Sequence, residues 1–288
     1  MGVTHAASAF RGACRSARAA GATVGFVPTM GDLHDGHASL IERARRDDGF
    51  VAVSVFVNPL QFDSPKDLAE YPRRLERDTR LAERLGVDVV FAPGEPEMYP
   101  RGRPEVTVDP GPLGARLEGA ARPGHFQGVL TIVAKLLNLV GPSRAYFGEK
   151  DAQQVELVRR MVADLDFPVD VVRCPTVRGP DGLALSSRNA RLTEAERAAA
   201  PVLFEALSDG ATLVRQGERD PNVVKAHMAK LIGGEGLASL DYIAVVDEAS
   251  WDEPDTLSAP ARALVAARFG HTRLIDTLLL PIVGSVQN

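Results

Sequence analysis

Cysteine is scarce in this chain: there are two in 288 residues, Cys14 and Cys174, far apart and in no motif. That argues against a disulfide scaffold and fits a reducing cytosol. Long apolar runs are missing as well. The most extended, Val129 to Val140, is interrupted by Lys135 and Asn138 and falls short of the ~20 residues of a membrane-spanning helix. Basic charge is not in excess, since the formal net charge is -5. This argues against a general nucleic-acid footprint and leaves room for a local basic pocket. Residues 1–23 contain no acid but carry Arg11, Arg15 and Arg18, a faint transit-peptide pattern. An ordinary first helix, about Thr4 to Ala20 with Phe10 and Cys14 on one face, is the better reading. Residue 6 is Ala, so Met1-Gly2 does not complete a myristoylation signal. The expected location is the cytoplasm.

What the chain does contain is globular material: 45% apolar and 25% charged residues, enough to bury a core. Its length suits one large or two ordinary domains at ~150 residues each. Val24 to Val27 reads as a strand that turns at Pro28, and Val51 to Val57 as a strand buried on both faces of a parallel sheet. A charged helical segment covers about Pro65 to Leu85, with a break near Pro72. Strands follow at Val87 to Ala92, Arg144 to Phe147 and Val169 to Arg173, with helices at Phe126 to Val140 and Ala152 to Ala163. Between them, residues 93–124 form a Gly- and Pro-rich stretch with one short strand near Val106; a loop that long is usually functional or mobile. Alternating strands and helices over residues 20–175 predict a doubly wound, parallel, Rossmann-like α/β sheet. Past Arg178-Gly179-Pro180-Asp181-Gly182 the pattern changes to a smaller α+β unit. It holds a long helix from about Thr193, capped by the box Thr193-Glu194-Ala195-Glu196, and a second helix at Pro221 to Ile232. Its strands are placed at Tyr242 to Val246, Ala263 to Arg268 and Leu274 to Leu280. The expected domains are 1–176, nucleotide-binding, and 177–288, a smaller lid.

The chemistry concentrates where the first strand gives way to a helix, at Met30-Gly31-Asp32-Leu33-His34-Asp35-Gly36-His37. Free backbone N–H groups and the dipole of a helix N-terminus favour an anion there. Two imidazoles at the same point can donate hydrogen bonds to phosphate oxygens, and add positive charge if protonated. A His-x-x-His pair is also a metal half-site, but no second Cys/His cluster follows at zinc-ligand spacing. Two surface histidines at a helix start are the bland account. The preceding strand and the flanking glycines favour nucleotide binding instead. A second strand–glycine–helix junction, Gly148-Glu149-Lys150-Asp151, carries a lysine at the turn. The polar group Asn58-Pro59-Leu60-Gln61 follows the buried strand at its carboxyl end, the edge where open α/β sheets bind ligands.

Taken together, five blocks carry a resemblance that covers about the whole chain: Pro28-Thr29-Met30-Gly31 with His34-Asp35-Gly36-His37; Phe56 to Phe62; Arg122-Pro123-Gly124-His125-Phe126; Phe147 to Gln154; and Leu185-Ser186-Ser187-Arg188-Asn189. In this order they resemble the pantoate–β-alanine ligases, nucleotidyltransferase-superfamily enzymes with a His-x-Gly-His signature. The resemblance implies ATP-dependent condensation of pantoate with β-alanine through an enzyme-bound pantoyl adenylate, releasing AMP and pyrophosphate. It also implies Mg²⁺ and a homodimer joined through the amino-terminal domains. Residues 30–37 and 148–151, Val177 through its backbone, and Leu185, Ser186, Ser187 and Arg188 match the family's ATP-binding positions. His34, His37, Lys150 and Arg188 would act on the phosphates. The family assigns His37 as proton donor, and we read it chiefly as a stabiliser of the transition state. Gln61 and Gln154 match the pantoate-binding pair. An amide offers donor and acceptor without a charge that would blunt the substrate carboxylate as a nucleophile. Gln127 and Leu60 depart from some relatives without touching a matched polar position. No protein ligand to the metal is assigned: Asp78 could approach Mg²⁺, but a solvated helix acid is preferred, with ATP phosphates and water supplying the ligands. The alternatives are another nucleotidyltransferase, whose phosphate-bearing acceptor would want cations in place of Gln61 and Gln154, and a non-catalytic ATP-binding module.

Overall fold

The computed structural model of the chain describes residues 1–62 and 64–282. Two compact units divide it, Met1–Pro175 and Thr176–Asn288.

In the first unit six strands form one parallel sheet: β1 (Gly2–Thr4), β2 (Val24–Thr29), β3 (Phe50–Val55), β4 (Val89–Phe91), β5 (Ser143–Gly148) and β6 (Val169–Cys174). Their spatial order is β1-β4-β3-β2-β5-β6, and every pairing is parallel. Strands β2, β3 and β4 are mostly buried and apolar on both faces because helices cover both. Val27, Val51, Val53 and Val90 meet Leu40, Ile41 and Ala44 of helix Asp35–Asp47 and Ala82 of helix Leu75–Arg84. On the opposite face Phe10, from helix Ala7–Ala19, stacks on Phe91 at 4.7 Å and tilts against Phe26 at 6.1 Å. Helix His125–Val140 is buried nearly all round, as apolar residues on almost every side of it require. The expected doubly wound α/β class holds.

The second unit is an antiparallel sheet in the order β7-β8-β9, formed by β7 (Ala238–Asp247), β8 (Ala261–Phe269) and β9 (Thr272–Leu280). Small and branched side chains of β8, Ala263, Val265 and Ala267, pack in one core with Leu203, Leu207, Val224 and Met228 from helices Val202–Arg215 and Pro221–Gly234. The capping box at Thr193 and Glu196 forms as expected.

Several local expectations need correction. Pro28 does not turn the chain; it lies inside β2, opposite Ser54. It is tolerated because the β2–β5 ladder pairs only Gly25 and Phe26, so no bond to that side is required of the missing N–H. A short first strand, Gly2–Thr4, precedes a helix that starts at Ala7 rather than Thr4. The break expected near Pro72 is present, by contrast: the Pro65–Leu85 segment is two helices, Pro65–Glu70 and Leu75–Arg84. The long helix from Thr193 is likewise two, Glu194–Ala199 and Val202–Arg215, separated at Pro201, which cannot donate into a continuing ladder. Val106 is exposed and belongs to no strand.

Candidate active site

The strand order reverses between β2 and β5. From β2 the chain builds outward through β3 and β4, then crosses back to lay β5 on the other side of β2. That reversal opens a crevice at the carboxyl ends of the two strands, the ligand-binding position of this architecture. The two junctions singled out in the sequence follow β2 and β5.

After β2, Gly31 and Asp32 both take left-handed backbone conformations, with φ of +86° and +51°. A Cβ at Gly31 would also come within 3.0 Å of Asp78 and Val55, so the turn needs glycine on both counts. Three acceptors hold the loop. The amide of Gly31 donates to Thr29 Oγ1 at 3.1 Å. Asp32 and Leu33 N–H donate to the two oxygens of Asp78 at 2.9 and 2.8 Å. Asp78 is buried. The preference for a solvated helix acid is therefore wrong: both its oxygens are committed to the loop. Its place beside Ala82 on the inward face of helix Leu75–Arg84 was the available signal. Asp32 points its carboxylate to Arg74 and Arg77, each at 3.5 Å.

His34 caps helix Asp35–Asp47, its Nδ1 accepting from Gly36 N–H at 3.1 Å. His37 reaches back so that its Nδ1 accepts from His34 N–H at 3.4 Å. The ring centroids are 4.2 Å apart. An Nδ1 that accepts carries no proton, so each neutral ring holds its proton on Nε2, ready to donate. Burial first, then neighbouring Lys150, lowers the pKa of His34. Burial, then His34, pushes His37 down to about 3. Both rings are thus neutral donors near pH 7, and the cationic charge beside them is that of Lys150. That lysine lies in the turn Glu149–Asp151 after β5, half-buried and 3.8 Å from Asp151. Gly148 closes β5 itself.

After β3 the turn Pro59–Gln61 presents Gln61, whose Nε2 lies 3.1 Å from Met30 Sδ. Gln61 thereby joins the histidine loop. Its Oε1 accepts from Asn58 Nδ2 at 2.9 Å, and its backbone carbonyl receives His125 and Arg122. Helix His125–Val140 presses on this turn: a Cβ at Gly128 would fall 2.3 Å from Leu60 O. Gln153 and Gln154 divide their roles. Gln153 is buried and bonds Leu113 O, Arg116 O and Glu118 N–H, tying down residues 113–118. Gln154 is half-buried and its side chain makes no hydrogen bond among the described residues. The sequence reading missed Asn58, Asp78 and Gln153 as positioning groups.

Within the second unit, Val177 O accepts from Leu185 N–H at 2.9 Å. Arg178 is held by Asp276, with one contact at 2.9 Å, and lies over Phe204. Ser186 Oγ caps the turn Ser187–Arg191 by accepting from Arg188 N–H at 3.3 Å. Arg188 is half-buried and makes no ion pair among the described residues.

A family model described as Pantoate-beta-alanine ligase matches residues 2–279. The chain belongs to that family. Among the curated relatives, pantothenate synthetase of Roseiflexus castenholzii is 52% identical over 270 residues, covering 93% of this chain and 97% of the relative. The Chloroflexus aurantiacus pantothenate synthetase is 51% identical over 281 residues, covering 97% and 98%. The crystal structure of pantothenate synthetase from Thermus thermophilus superposes with a TM-score of 0.90 at 49% identity, covering 96% of this chain and 99% of that one. A pantoate-beta-alanine ligase from Francisella tularensis, solved with beta-gamma ATP and beta-alanine, has a TM-score of 0.79 at 35% identity, covering 97% of each.

Proposed function

We propose that the chain joins pantoate to β-alanine using ATP, the activity of the family to which it belongs. The observation that carries the reading at the level of residues is the switch-point cluster. There, two histidines whose Nε2–H groups make no hydrogen bond among the described residues, a lysine and the Gln61 side chain converge from β2, β5 and β3.

A carboxylate does not react with an amine in water, so it is first made into an acyl adenylate. A pantoate carboxylate oxygen attacks the α-phosphorus of ATP. The bond from that phosphorus to the bridging oxygen breaks, and its electron pair leaves with pyrophosphate. Charge shifts from the α,β-bridge onto the departing pyrophosphate, where fixed donors are most effective. His34 and His37 supply two such donors through Nε2, and Lys150 supplies the cation. Because the rings are neutral and their tautomer is fixed by backbone N–H groups, they act as preorganised donors, and no proton transfer is required of His37 in this step. Gln61 and Gln154 hold pantoate without adding charge to its carboxylate. β-Alanine then attacks the acyl carbon as a neutral amine, the carbon–oxygen bond to AMP breaks, and the amine releases a proton.

The remaining assignments are proposals of the same reading. Residues 30–37 and 148–151 bind ATP, and nucleotide binding is assigned to Val177, Leu185, Ser186, Ser187 and Arg188 on the resemblance; Arg188, which makes no ion pair among the described residues, suits a role toward phosphate. Mg²⁺ enters with ATP as the substrate's counterion. Among the described residues no three His, Cys, Asp or Glu side chains converge to hold an ion, and Asp78 is occupied by backbone N–H groups. A homodimer and a cytoplasmic location are proposed on the resemblance. Among the described residues no helix is long and apolar enough to cross a membrane.

Pyrophosphate release from ATP and Mg²⁺ tests this. Turnover is expected only with both pantoate and β-alanine, and pantoate alone should give at most a stoichiometric burst. His37→Ala should lower kcat by about 10²–10³, the scale for one oxyanion-type donor, and Gln154→Ala should reduce pantoate use severely. Pantoate-independent turnover would overturn the reading in favour of a transferase with another acceptor.

A further inference from the structure

A buried polar chain runs away from Gln61, and no step described above uses it. Tyr99, almost fully buried, donates its hydroxyl to Asn58 Oδ1 at 2.7 Å. Asn58, also buried, donates from Nδ2 to Gly128 O at 3.1 Å and to Gln61 Oε1 at 2.9 Å. The other bond to Asn58 Oδ1, from Leu60 N–H, is longer at 3.3 Å. The Tyr99 ring is itself held edge-on by Phe56 at 6.0 Å. Lys135 Nζ lies 5.4 Å from its centroid and also bonds Met98 O.

The polarity of this chain has one direction. Burial and nearby Glu95 raise the Tyr99 pKa, so the phenol keeps its proton and meets Asn58 as a donor. The carbonyl of Gly128 can only accept, so the Asn58 amide must turn Nδ2 inward. Asn58 Nδ2 then requires an acceptor from Gln61, which leaves Gln61 Nε2 as the group facing the Met30 side of the crevice. A glutamine without such a partner presents either end. Here the amide is committed to donating.

We propose that Tyr99 is a positioning residue for the acid substrate: through Asn58 it holds the Gln61 amide with Nε2 turned toward the crevice, so that Gln61 reads a carboxylate or hydroxyl oxygen as an acceptor. This rests on the assignment of Gln61 to pantoate. Tyr99 touches no substrate in this scheme; it acts by keeping a buried amide from rotating.

Two measurements on Tyr99→Phe, which keeps the ring and its packing, test the relay separately from the assignment beneath it. The first follows the ¹⁵N side-chain amide signals of Asn58 and Gln61, identified by their loss in Asn58→Asp and Gln61→Glu. Both should shift or broaden in Tyr99→Phe. Unchanged amide signals would overturn the relay whatever the kinetics. The second is steady-state kinetics. KM for pantoate should rise between about threefold and tenfold, the scale of one hydrogen bond, with kcat and KM for ATP within about twofold. In a Gln61→Ala background, Tyr99→Phe should add nothing further. If pantoate and ATP constants move together, or the two effects simply add, Tyr99 is structural and the proposal fails. If the amides respond but pantoate KM does not, the relay stands and the assignment of Gln61 to pantoate is what fails.

Discussion

His34 and His37 are defined less by being histidines than by what their Nδ1 atoms accept. Each takes a backbone N–H from the start of the same helix, so the helix cap and the proposed phosphate donors are the same two side chains. Its energetic cost appears at low pH. The unfolded imidazole of His37 titrates near 6.5, while burial pushes the folded group down to about 3. Below pH 6.5 the unfolded chain therefore binds a proton that the folded chain refuses. Stability is fully present above 6.5 and is lost as pH falls toward 3, by up to about 1.4 kcal/mol per pH unit from this ring. Urea midpoints of wild type and His37→Gln between pH 7.5 and 4.5 check this: wild type should decline more steeply, and parallel curves would count against a neutral buried ring. His34 and His37 stood out in the sequence by residue type and place, at a strand–helix junction, whereas Lys150, Gln61 and Gln154 stood out through the blocks that carry the resemblance. Protonation and tautomer were not legible, since they depend on burial and on which backbone N–H each ring meets. Asp78 was misread for the same reason, as its function lies in two N–H groups far away along the chain, those of Asp32 and Leu33.

At the scale of elements, the site is shaped by how closely backbones approach. Helix His125–Val140 lies against the turn Pro59–Gln61 with Gly128 at the contact, where a Cβ would meet Leu60 O at 2.3 Å and Gln61 N at 2.8 Å. Backbone cannot give way as a flexible side chain does. Gly128→Ala should cost about 1–3 kcal/mol, as overpacking does, and should raise KM for pantoate more than KM for ATP, because the displaced turn carries Gln61. Thermal denaturation with steady-state kinetics checks both, and equal effects on the two substrates would show that the strain is not local to this turn. The apolar run of this helix announced its burial, but the partner of Gly128 is Leu60, distant in sequence, and left no local trace. Proline was misjudged in both directions. Pro28 reads as a turn and is a strand residue, because the neighbouring ladder has already ended. Pro201 lies inside an alanine-rich helical pattern and divides it.

For the molecule, the parallel sheet turns separated stretches into one place. The strand order β4-β3-β2-β5-β6 puts the carboxyl ends of β2 and β5 side by side, which is why residues 30–37 and 148–151, far apart in the chain, serve one crevice. Alternation of strands and helices made the α/β class legible, whereas strand order depends on crossovers that no local pattern records. The first strand, Gly2–Thr4, was too short to announce itself. Composition told correctly of a protein with a full core, and the chain divides into the units Met1–Pro175 and Thr176–Asn288, each with a core of its own.

The most direct test of the central claim is isotope exchange between labelled pyrophosphate and ATP, with Mg²⁺ and pantoate present and β-alanine absent. In the proposed mechanism, adenylation is a complete, reversible half-reaction that needs no amine. Exchange should therefore depend on pantoate, proceed without β-alanine, and fall by about 10²–10³ in His37→Ala. Exchange that required β-alanine, or that ran without pantoate, would contradict the account.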